Sequence, residues 1–328
     1  MLNGCLEHYR SKEVLVTGGT GFLGSKFVKE LYSVGSKVSL LVRKNRKIDE
    51  DWAKGLDFQI YEGDILDEIL LKKALKGKEF LFHFAARDNK FGLKLKPMED
   101  IEVNVLSILK ILEVCRLNNY SPKIIFPGSE NQLGVASQVP VNEDFVDNPL
   151  NIFGLNKLFA EKYLQYYKSN FGIDSVTLRL SNLYGPTVSE SCSRNPSLNK
   201  IISDSTKGSV KVFTSGNFLR DFIYIDDAIN AFLLAGKNIK KLDRPFYYVG
   251  SGLGSNFMET MNLISEKVEK KAGTKVELIK SKPEKELSDF DKRNFVADHK
   301  QFSEITSWTP QIFLSEGIDR TLDYFLSL

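Results

Sequence analysis

Short apolar runs rich in β-branched residues alternate along the chain with stretches of helical periodicity. The runs include "EVLVTGG", "KVSLLVR", "LDFQIYEGD", "EFLFHFAA", "KIIFPGS" and "SVTLRLSNLYG". Helical patterns separate them, among them "FVKELYSVG" and the segments near residues 98–118 and 152–171. Strand, helix, strand is the pattern of parallel βαβ units, and strands that are apolar throughout are expected where helices cover both sheet faces. The pattern therefore predicts an α/β fold with a doubly wound parallel sheet.

The second half of the chain follows this pattern less regularly. After Gly185 comes "GPTVSESCSRNPSLNK", which is rich in Pro, Ser and Asn, before strand-like "DFIYID" and "PFYYVGSG" return to the first domain. We therefore predict a first domain at residues 1–185 with returning segments at about 219–252. A smaller, discontinuous C-terminal lobe is predicted at 186–218 and 253–328.

Composition places the chain among globular proteins and narrows its partners. Of 328 residues, 42% are hydrophobic and 27% are charged, which is enough for a full core and argues against disorder. The 45 basic and 42 acidic residues are interspersed along the chain. We therefore expect neither a nucleic acid nor a membrane surface as a partner.

The cysteines and the N-terminal segment indicate a compartment. Cys5, Cys115 and Cys192 are widely spaced and odd in number, which argues against a disulfide framework and a zinc site. We therefore predict no metal, and this cysteine usage fits a reducing cytoplasm. The chain has no run of about 18 apolar residues, and "MLNGCLEHYRSKE" lacks the apolar core of a signal peptide. Neither secretion nor membrane spanning is expected.

The clearest chemical signal is the glycine-rich segment "VLVTGGTGFLGSKFVKEL". Gly18, Gly21 and Gly24 follow a predicted strand and open a helix, so the backbone can turn tightly and approach a pyrophosphate at the helix N-terminus. Their spacing departs from the G-x-G-x-x-G fingerprint, and a plain glycine-rich turn is the alternative. The position of the segment in the first βα unit favours nucleotide binding.

The end of the second predicted strand bears on the choice of dinucleotide. Arg43, followed by Lys44, stands where an acidic residue would bind a ribose 2'-hydroxyl. An arginine there accommodates a 2'-phosphate, which favours NADP over NAD. The alternative is an exposed loop arginine.

Several motifs together resemble one family. They are "TGGTGFLG", "FHFAA", the helix that holds Lys157, "RLSNLYGP", "GNFLRDFIYIDD", "YYVGSG" and the tail "ADHKQFSEITSWTPQIFLSEGI", and they span nearly the whole chain in order. The chain resembles an extended short-chain dehydrogenase/reductase of the NAD(P)-dependent nucleotide-sugar epimerase/dehydratase family. The resemblance implies a Rossmann-type domain that binds NAD or NADP and a C-terminal lobe that binds a nucleoside-diphosphate sugar.

The resemblance also implies a reaction. Hydride transfer at C4 of the hexose would make the protein an epimerase or a 4-ketoreductase. A 4,6-dehydratase is the alternative within the family. Members of the family usually make sugar precursors of surface polysaccharides. The helices near 98–118 and 152–171 form a four-helix bundle between subunits in many relatives, so a homodimer is expected.

The family's catalytic residues match this chain only in part. Relatives hold a Ser or Thr, a Tyr that acts as general acid/base, and a Lys that lowers the pKa of that Tyr. Ser129 and Lys157 match the first and the last. Phe153 stands at the tyrosine position, four residues and about one turn before Lys157, and it cannot transfer a proton.

Few residues could replace the missing hydroxyl. Glu130 is a possible substitute acid. With Asn131 it occupies the place of the dehydratase acid pair, of which only the first position is acidic here. The tyrosines further along the helix are excluded because the first lies roughly 15 Å away along its axis. His83 is predicted to be structural rather than a catalytic base.

The resemblance assigns the remaining site residues. The cofactor contacts are Gly18, Thr20, Gly21, Phe22, Leu23, Gly24, Arg43, Asp64, Ile65, Ala85, Ala86 and Lys157. Asp64 would bind the adenine amino group, or else be a simple turn carboxylate. Substrate contacts fall on Ser129, Asn182 and Arg220, of which Arg220 would bind the diphosphate. The alternative for Arg220 is an ion pair with Asp221 or Asp226.

Two accounts of Phe153 follow. In the first, the chain is an otherwise intact enzyme with Phe in place of Tyr, a change that is natural or introduced to trap substrate, and it turns over poorly. In the second, the chain has lost redox catalysis and serves as a nucleotide-binding or scaffolding module. Retention of the substrate residues favours the first.

Overall fold

The computed structural model describes residues 5–44, 53, 55–87, 96–188, 197–212, 218–280 and 288–328. Cys192 and the first two residues of the "GNFLRDFIYIDD" motif lie outside the described residues. The strands are β1 (Glu13–Thr17), β2 (Lys37–Val42), β3 (Gln59–Glu62), β4 (Phe80–His83), β5 (Lys123–Ser129), β6 (Ser175–Leu180), β7 (Asn182–Tyr184), β8 (Ser209–Val212), β9 (Leu219–Tyr224), β10 (Phe246–Val249), β11 (Gly254–Asn256) and β12 (Glu277–Lys280).

The helices lie between and after these strands. They are α1 (Phe22–Ser33), α2 (Glu68–Leu75), α3 (Pro97–Ile101), α4 (Ser107–Asn118), α5 (Ile152–Phe171), α6 (Ser197–Ser205), α7 (Ile225–Asn238), α8 (Phe257–Ala272), α9 (Asp289–Lys292), α10 (Lys300–Thr306) and α11 (Leu314–Leu326). Of these, α1, α2, α4, α5 and α7 pack against the main sheet. A π-helical turn, Glu102–Leu106, joins α3 to α4. The helices predicted near 98–118 and 152–171 are thus present.

Within the described residues, seven strands form a parallel sheet in the order β10-β6-β5-β4-β1-β2-β3. The order reverses between β1 and β4, so the loops after these two strands diverge to opposite sides and leave a crevice at their carboxyl ends. This confirms the predicted Rossmann-type, doubly wound α/β fold.

The apolar strands are explained by helices on both sides of the sheet. Val14 and Val16 of β1 pack into one core with α1 and α7, whereas Leu15 packs into a second core with α2, α4 and α5. Because neighbouring side chains of a strand point to opposite faces, both faces must be apolar.

The strands outside the main sheet belong to two small sheets in the described part of the chain. β9 pairs parallel to β7 and antiparallel to β11, and β8 pairs with β12. β10 returns to the main sheet beside β6. β7 follows β6 directly, and the side chain of its Asn182 donates to the carbonyl of Asp221 in β9, so the three-stranded sheet begins near the carboxyl end of β6. The division into a domain and a discontinuous lobe stays a prediction.

Candidate active site

A cleft of about 1530 Å³ lies at the carboxyl ends of the parallel strands. The structure brings all the predicted site residues into its walls. These are Gly18, Thr20, Gly21, Phe22, Leu23, Gly24, Arg43, Asp64, Ile65, Ala85, Ala86, Ser129, Glu130, Phe153, Lys157, Asn182 and Arg220. The cleft has two halves: the dinucleotide half, around the glycine turn, and the substrate half, around Glu130 and Arg220.

The glycine turn of the dinucleotide half leaves no room for side chains. Gly18 has a φ of 69°, and a Cβ there would lie 2.5 Å from the backbone N of Ala85. A Cβ on Gly24 would lie 2.2 Å from the carbonyl oxygen of Gly18. The turn ends at Gly21, the N-cap of α1, whose first turn lines the cleft. Backbone N–H groups at such a helix start suit a pyrophosphate, so the residues present fit a dinucleotide.

The far end of the dinucleotide half is polar and exposed. Arg43 and Lys44 follow β2 and are exposed at the edge of the cleft. Asp64 follows β3, and its Oδ1 accepts a hydrogen bond from the N–H of Leu66 at 2.9 Å. The Asp64 carboxylate therefore stabilises its own turn while it lines the cleft. Ile65 beside it is buried.

Lys157 and Phe153 lie on adjacent turns at the start of α5. The Asn151 side chain caps this helix, accepting a hydrogen bond from the Gly154 N–H at 2.7 Å. Lys157 is 3% exposed, and its Nζ donates to the carbonyl of Pro127 at 2.8 Å. The same Nζ lies 5.7 Å from the centroid of the Phe153 ring, which is half-buried in the cleft wall. A tyrosine hydroxyl at 153 would point in the same direction as this ring.

Ser129 begins a tight turn that follows β5. Its Oγ accepts a hydrogen bond from the N–H of Asn131 at 3.3 Å, and its own N–H donates to Oε1 of Gln132 at 2.9 Å. An oxygen that accepts from Asn131 can still donate its hydroxyl proton to a ligand. The turn also packs against α5, since a Cβ on Gly154 would lie 2.2 Å from the carbonyl oxygen of Asn131.

Glu130 is held in a buried ion pair. Its Oε1 accepts from Nη2 of Arg293 at 2.6 Å, and each of the two side chains is 6% exposed. Asn182 Nδ2 donates to Oε2 of Glu130 at 3.2 Å, and Arg293 also donates to Oδ1 of Asn131 at 3.0 Å. The Glu130 carboxylate is therefore occupied as an acceptor by a guanidinium and an amide.

Arg220 is held by the C-terminal part of the chain rather than by a carboxylate. Its guanidinium donates to the carbonyl of Asp291 at 2.6 Å and to the carbonyl of Arg293. Of the alternative partners, Asp226 pairs with a lysine of α1, and Asp221 is fully buried among N–H donors. Burial raises the pKa of Asp221. Within the described residues, backbone carbonyls thus take the place of the ion pair that the sequence offered as the alternative.

His83 lies beneath the cleft and not in its wall. It is fully buried, with Nδ1 2.8 Å from Oγ1 of Thr17 and Nε2 3.4 Å from Oγ of Ser107. Burial, with a smaller contribution from the Lys157 charge, lowers the pKa of His83 to about 3. These contacts fit the predicted structural role.

Sequence reasoning missed Arg293 and Asp291 in the substrate half. Both line the cleft, and Arg293 contacts Glu130 across 163 positions of sequence. Neither residue differs in type or pattern from its charged neighbours in "EKELSDFDKR". Their one signal was proximity to the family-like tail, which begins four residues after Arg293 and six after Asp291.

Membrane-spanning helices and metal clusters are both absent from the described residues. No helix in that part of the chain is long and apolar enough to cross a membrane. No group of three or more His, Cys, Asp or Glu side chains in the same part is arranged to hold a metal ion.

The fold and the glycine turn define a nucleotide-binding α/β protein, and comparison with known proteins gives its family. Residues 14–250 match the model of the NAD dependent epimerase/dehydratase family, and the chain belongs to that family. This confirms the resemblance seen in the sequence.

Similar proteins of known name include sugar-nucleotide epimerases. A putative UDP-glucose 4-epimerase of Methanocaldococcus jannaschii is 29% identical over 316 residues, which are 95% of this chain and 97% of the relative. The crystal structure of a Thermotoga maritima UDP-glucose 4-epimerase with UDP-glucose is 26% identical, with a TM-score of 0.81 over 96% of this chain and 98% of that one. A Thermus thermophilus UDP-glucose 4-epimerase in complex with NAD is also 26% identical, with a TM-score of 0.77 over 95% and 98%.

Proposed function

We propose that this protein binds a nicotinamide dinucleotide and a nucleoside-diphosphate sugar and carries the framework for hydride transfer at C4 of the hexose. This is the chemistry of an epimerase or a 4-ketoreductase. We further propose that Phe153 impairs turnover. One observation carries the proposal: a buried Lys157 ammonium lies beside the ring of Phe153 in the wall of a cleft that also holds Ser129.

The dinucleotide would be held by the chain's own backbone and by Lys157. The glycine turn and the first turn of α1 would bind the pyrophosphate, and Asp64 and Ile65 would contact the adenine. Lys157, fixed by Pro127, would donate to the nicotinamide ribose. A nicotinamide held there would supply hydride chemistry at C4 of the sugar.

The proton that accompanies this hydride needs a donor in the cleft. The described lining residues include no tyrosine, histidine or cysteine. Ser129 can donate a hydrogen bond to the C4 oxygen, but a serine hydroxyl is a poor acid near neutral pH. Glu130 is committed to its ion pair with Arg293. General acid/base catalysis contributes roughly 100- to 10,000-fold, and the chain is proposed to lack most of that factor.

The sugar nucleotide would occupy the substrate half. The Arg220 guanidinium suits a diphosphate, with Asn182 beside it, and Ser129 would reach the hexose. The 4,6-dehydratase alternative has less support, because Glu130 is ion-paired and Asn131 is not an acid. Retention of this half supports an impaired enzyme over a non-catalytic module.

The first experiment identifies what the purified protein carries and restores the missing hydroxyl. Mass spectrometry of small molecules released on denaturation should detect a nicotinamide dinucleotide together with a sugar nucleotide. Phe153→Tyr should then raise the epimerisation or reduction rate on that sugar nucleotide roughly 100- to 10,000-fold.

Phe313→Tyr is the matched control, because it adds the same hydroxyl at an exposed position outside the cleft. Its rate should equal that of the parent chain. A Phe153→Tyr variant that gains nothing would refute impairment by Phe153. A bound dinucleotide with no affinity for UDP-, GDP-, CDP- or dTDP-sugars would instead favour the non-catalytic module.

The dinucleotide is proposed to be NADP rather than NAD. The support is the exposed pair of Arg43 and Lys44 at the edge of the cleft, beyond β2, where a 2'-phosphate would lie. The relative from Thermus thermophilus was crystallised with NAD, so the NADP preference is proposed for this chain and not carried over from that relative.

A homodimer through the helices near residues 98–118, α3 to α4, and 152–171, α5, is also proposed. Leu155, Phe159, Tyr163 and Tyr166 follow one another at helical spacing on α5 and are 37–56% exposed. Such a row of large apolar side chains is typical of a protein interface. A single monomeric species in sedimentation across working concentrations would exclude the dimer.

A further inference from the structure

Gln132 connects the two parts of the chain that carry the candidate catalytic residues. Its Oε1 accepts a hydrogen bond from the N–H of Ser129 at 2.9 Å, and its Nε2 donates to Oε2 of Glu161 at 2.9 Å. Ser129 ends β5, whereas Glu161 lies on α5 about one helical turn after Lys157. A single amide group thus bridges the Ser129 turn and the helix of Lys157.

The Glu161 end of this bridge is rigid. Arg179 donates to both carboxylate oxygens of Glu161, at 3.0 Å from Nε and 2.7 Å from Nη2. The other side of the same guanidinium binds both oxygens of Asp147, and its face lies 3.5 Å from the centroid of the Phe246 ring. Arg179 is fully buried and Glu161 is 1% exposed. Paired two-point contacts of this kind leave the Glu161 carboxylate one orientation.

The bridge also requires an amide at position 132. Its NH₂ group faces a carboxylate and its carbonyl oxygen faces an N–H, so a flipped amide would lose both hydrogen bonds. Gln132 itself is fully buried, and a Cβ on Gly128 would lie 2.7 Å from its Oε1. An apolar residue of the same length would fill the space but leave the Ser129 N–H and a buried carboxylate oxygen without this partner.

We propose that Gln132 is a positioning residue for hydride transfer. It holds the Ser129 hydroxyl at the distance from residue 153 and Lys157 at which Ser129 and a tyrosine at 153 can both meet one C4 oxygen. A misplacement of about 1 Å at such a site costs up to roughly 100-fold in rate. This inference rests on the proposed function, because Ser129 acts only if the sugar binds beside it.

The kinetic test uses the Phe153→Tyr chain as parent and adds Gln132→Met. The kcat of the double variant should fall about 10- to 100-fold, with its KM for the sugar nucleotide changed less than about threefold. Gln311→Met in the same parent is the control, because the Gln311 amide is exposed and bonds only to its own loop within the described part of the chain. A kcat within about twofold of the parent for Gln132→Met would overturn the proposal.

A crystal structure of Gln132→Met in the unaltered chain separates this inference from the proposed function. We expect Ser129 Oγ to move by about 1 Å relative to Lys157 Nζ while α5 stays in place. A shift below about 0.5 Å would overturn positioning whatever the kinetics show. If the Phe153→Tyr parent shows no turnover, the proposed hydride-transfer chemistry is refuted, and the crystal structure still decides the positioning role of Gln132.

A second variant covers the case in which Gln132→Met does not fold. Gln132→Asn is one methylene shorter, so its amide can reach Ser129 or Glu161 but not both. It should fold and show the same loss of kcat. If neither variant folds while Gln311→Met does, Gln132 is structural and the proposal fails.

Discussion

The two halves of the cleft differ in the atoms that form them. The glycine turn of the dinucleotide half is built of backbone, because Gly18 and Gly24 let main-chain atoms approach within distances that a Cβ would forbid. The substrate half is made of buried charged side chains, chiefly Glu130 and Arg293. The first half is specified by a short run of adjacent residues, and the second needs segments that meet only after folding. The halves should therefore fail in different ways.

Arg293→Met should produce the largest effect, and in the substrate half. Removing the guanidinium leaves the buried Glu130 carboxylate without its charged partner. Breaking a buried pair in this way costs about 3–5 kcal/mol of unfolding free energy, measurable by urea denaturation. The double variant Glu130→Gln with Arg293→Met should recover much of that loss. A single variant that loses less than about 1 kcal/mol would place the pair in a wetter site than its exposure indicates.

Gly24→Ala tests whether the close backbone packing at the glycine turn is needed for dinucleotide binding, because it adds a methyl group and no charge. The new Cβ would lie 2.2 Å from the Gly18 carbonyl, so α1 must move away from β1. We expect dinucleotide affinity to fall by about 1–3 kcal/mol, measured by titration calorimetry, with sugar-nucleotide affinity nearly unchanged. Gly77→Asn is the control, because Gly77 has a φ of 74° and open space around it. Equal losses for both ligands would mean that the halves are not separate.

His83 lies under both halves and should make the protein sensitive to acid. The unfolded chain takes up a proton near pH 6.5, whereas burial delays protonation of the folded His83 to about pH 3. The stability linked to a neutral His83 is therefore fully present above pH 6.5. It decreases as the pH falls toward 3, and the unfolding free energy is about 2 kcal/mol lower at pH 5.

The comparison with His83→Gln isolates this titration from the others. Gln can still bond to Thr17 and Ser107 but does not titrate. For each chain, we compare the unfolding free energy at pH 8 with that at pH 5. The decrease should be about 2 kcal/mol smaller for the variant than for the parent. Identical pH dependence in the two chains would contradict the buried, neutral histidine.

The smallest effect is expected at the exposed end of the dinucleotide half. Arg43→Ala should lower the ratio of NADP to NAD affinity by about fivefold, because a contact to an exposed charge contributes at most about 1 kcal/mol. Fluorescence titration with the two reduced dinucleotides measures the ratio. Lys123→Ala, on β5, is a control for loss of one positive charge. An unchanged ratio for Arg43→Ala would support the exposed loop arginine.

The same contrast explains what could be predicted from the sequence. The parallel strands follow from local periodicity and the glycine turn from a short motif, so patterns of a few residues revealed them. Phe153 and Lys157 were identified by the family resemblance, and their four-residue spacing placed them on one face of a helix. Arg293 was missed because its partner is 163 positions away and nothing local marks it. Arg220 was found, but its contacts with the carbonyls of Asp291 and Arg293 were not, since backbone acceptors leave no trace in residue types.

The placement of Phe153 has a genetic consequence. Its ring already lies beside Lys157 in the first turn of α5, so a tyrosine there needs no other change in the chain. Phenylalanine and tyrosine codons differ by one base. A library of random single-base mutants would therefore contain the Phe153→Tyr chain, and complementation of a strain that lacks an epimerase could select it without any designed mutation.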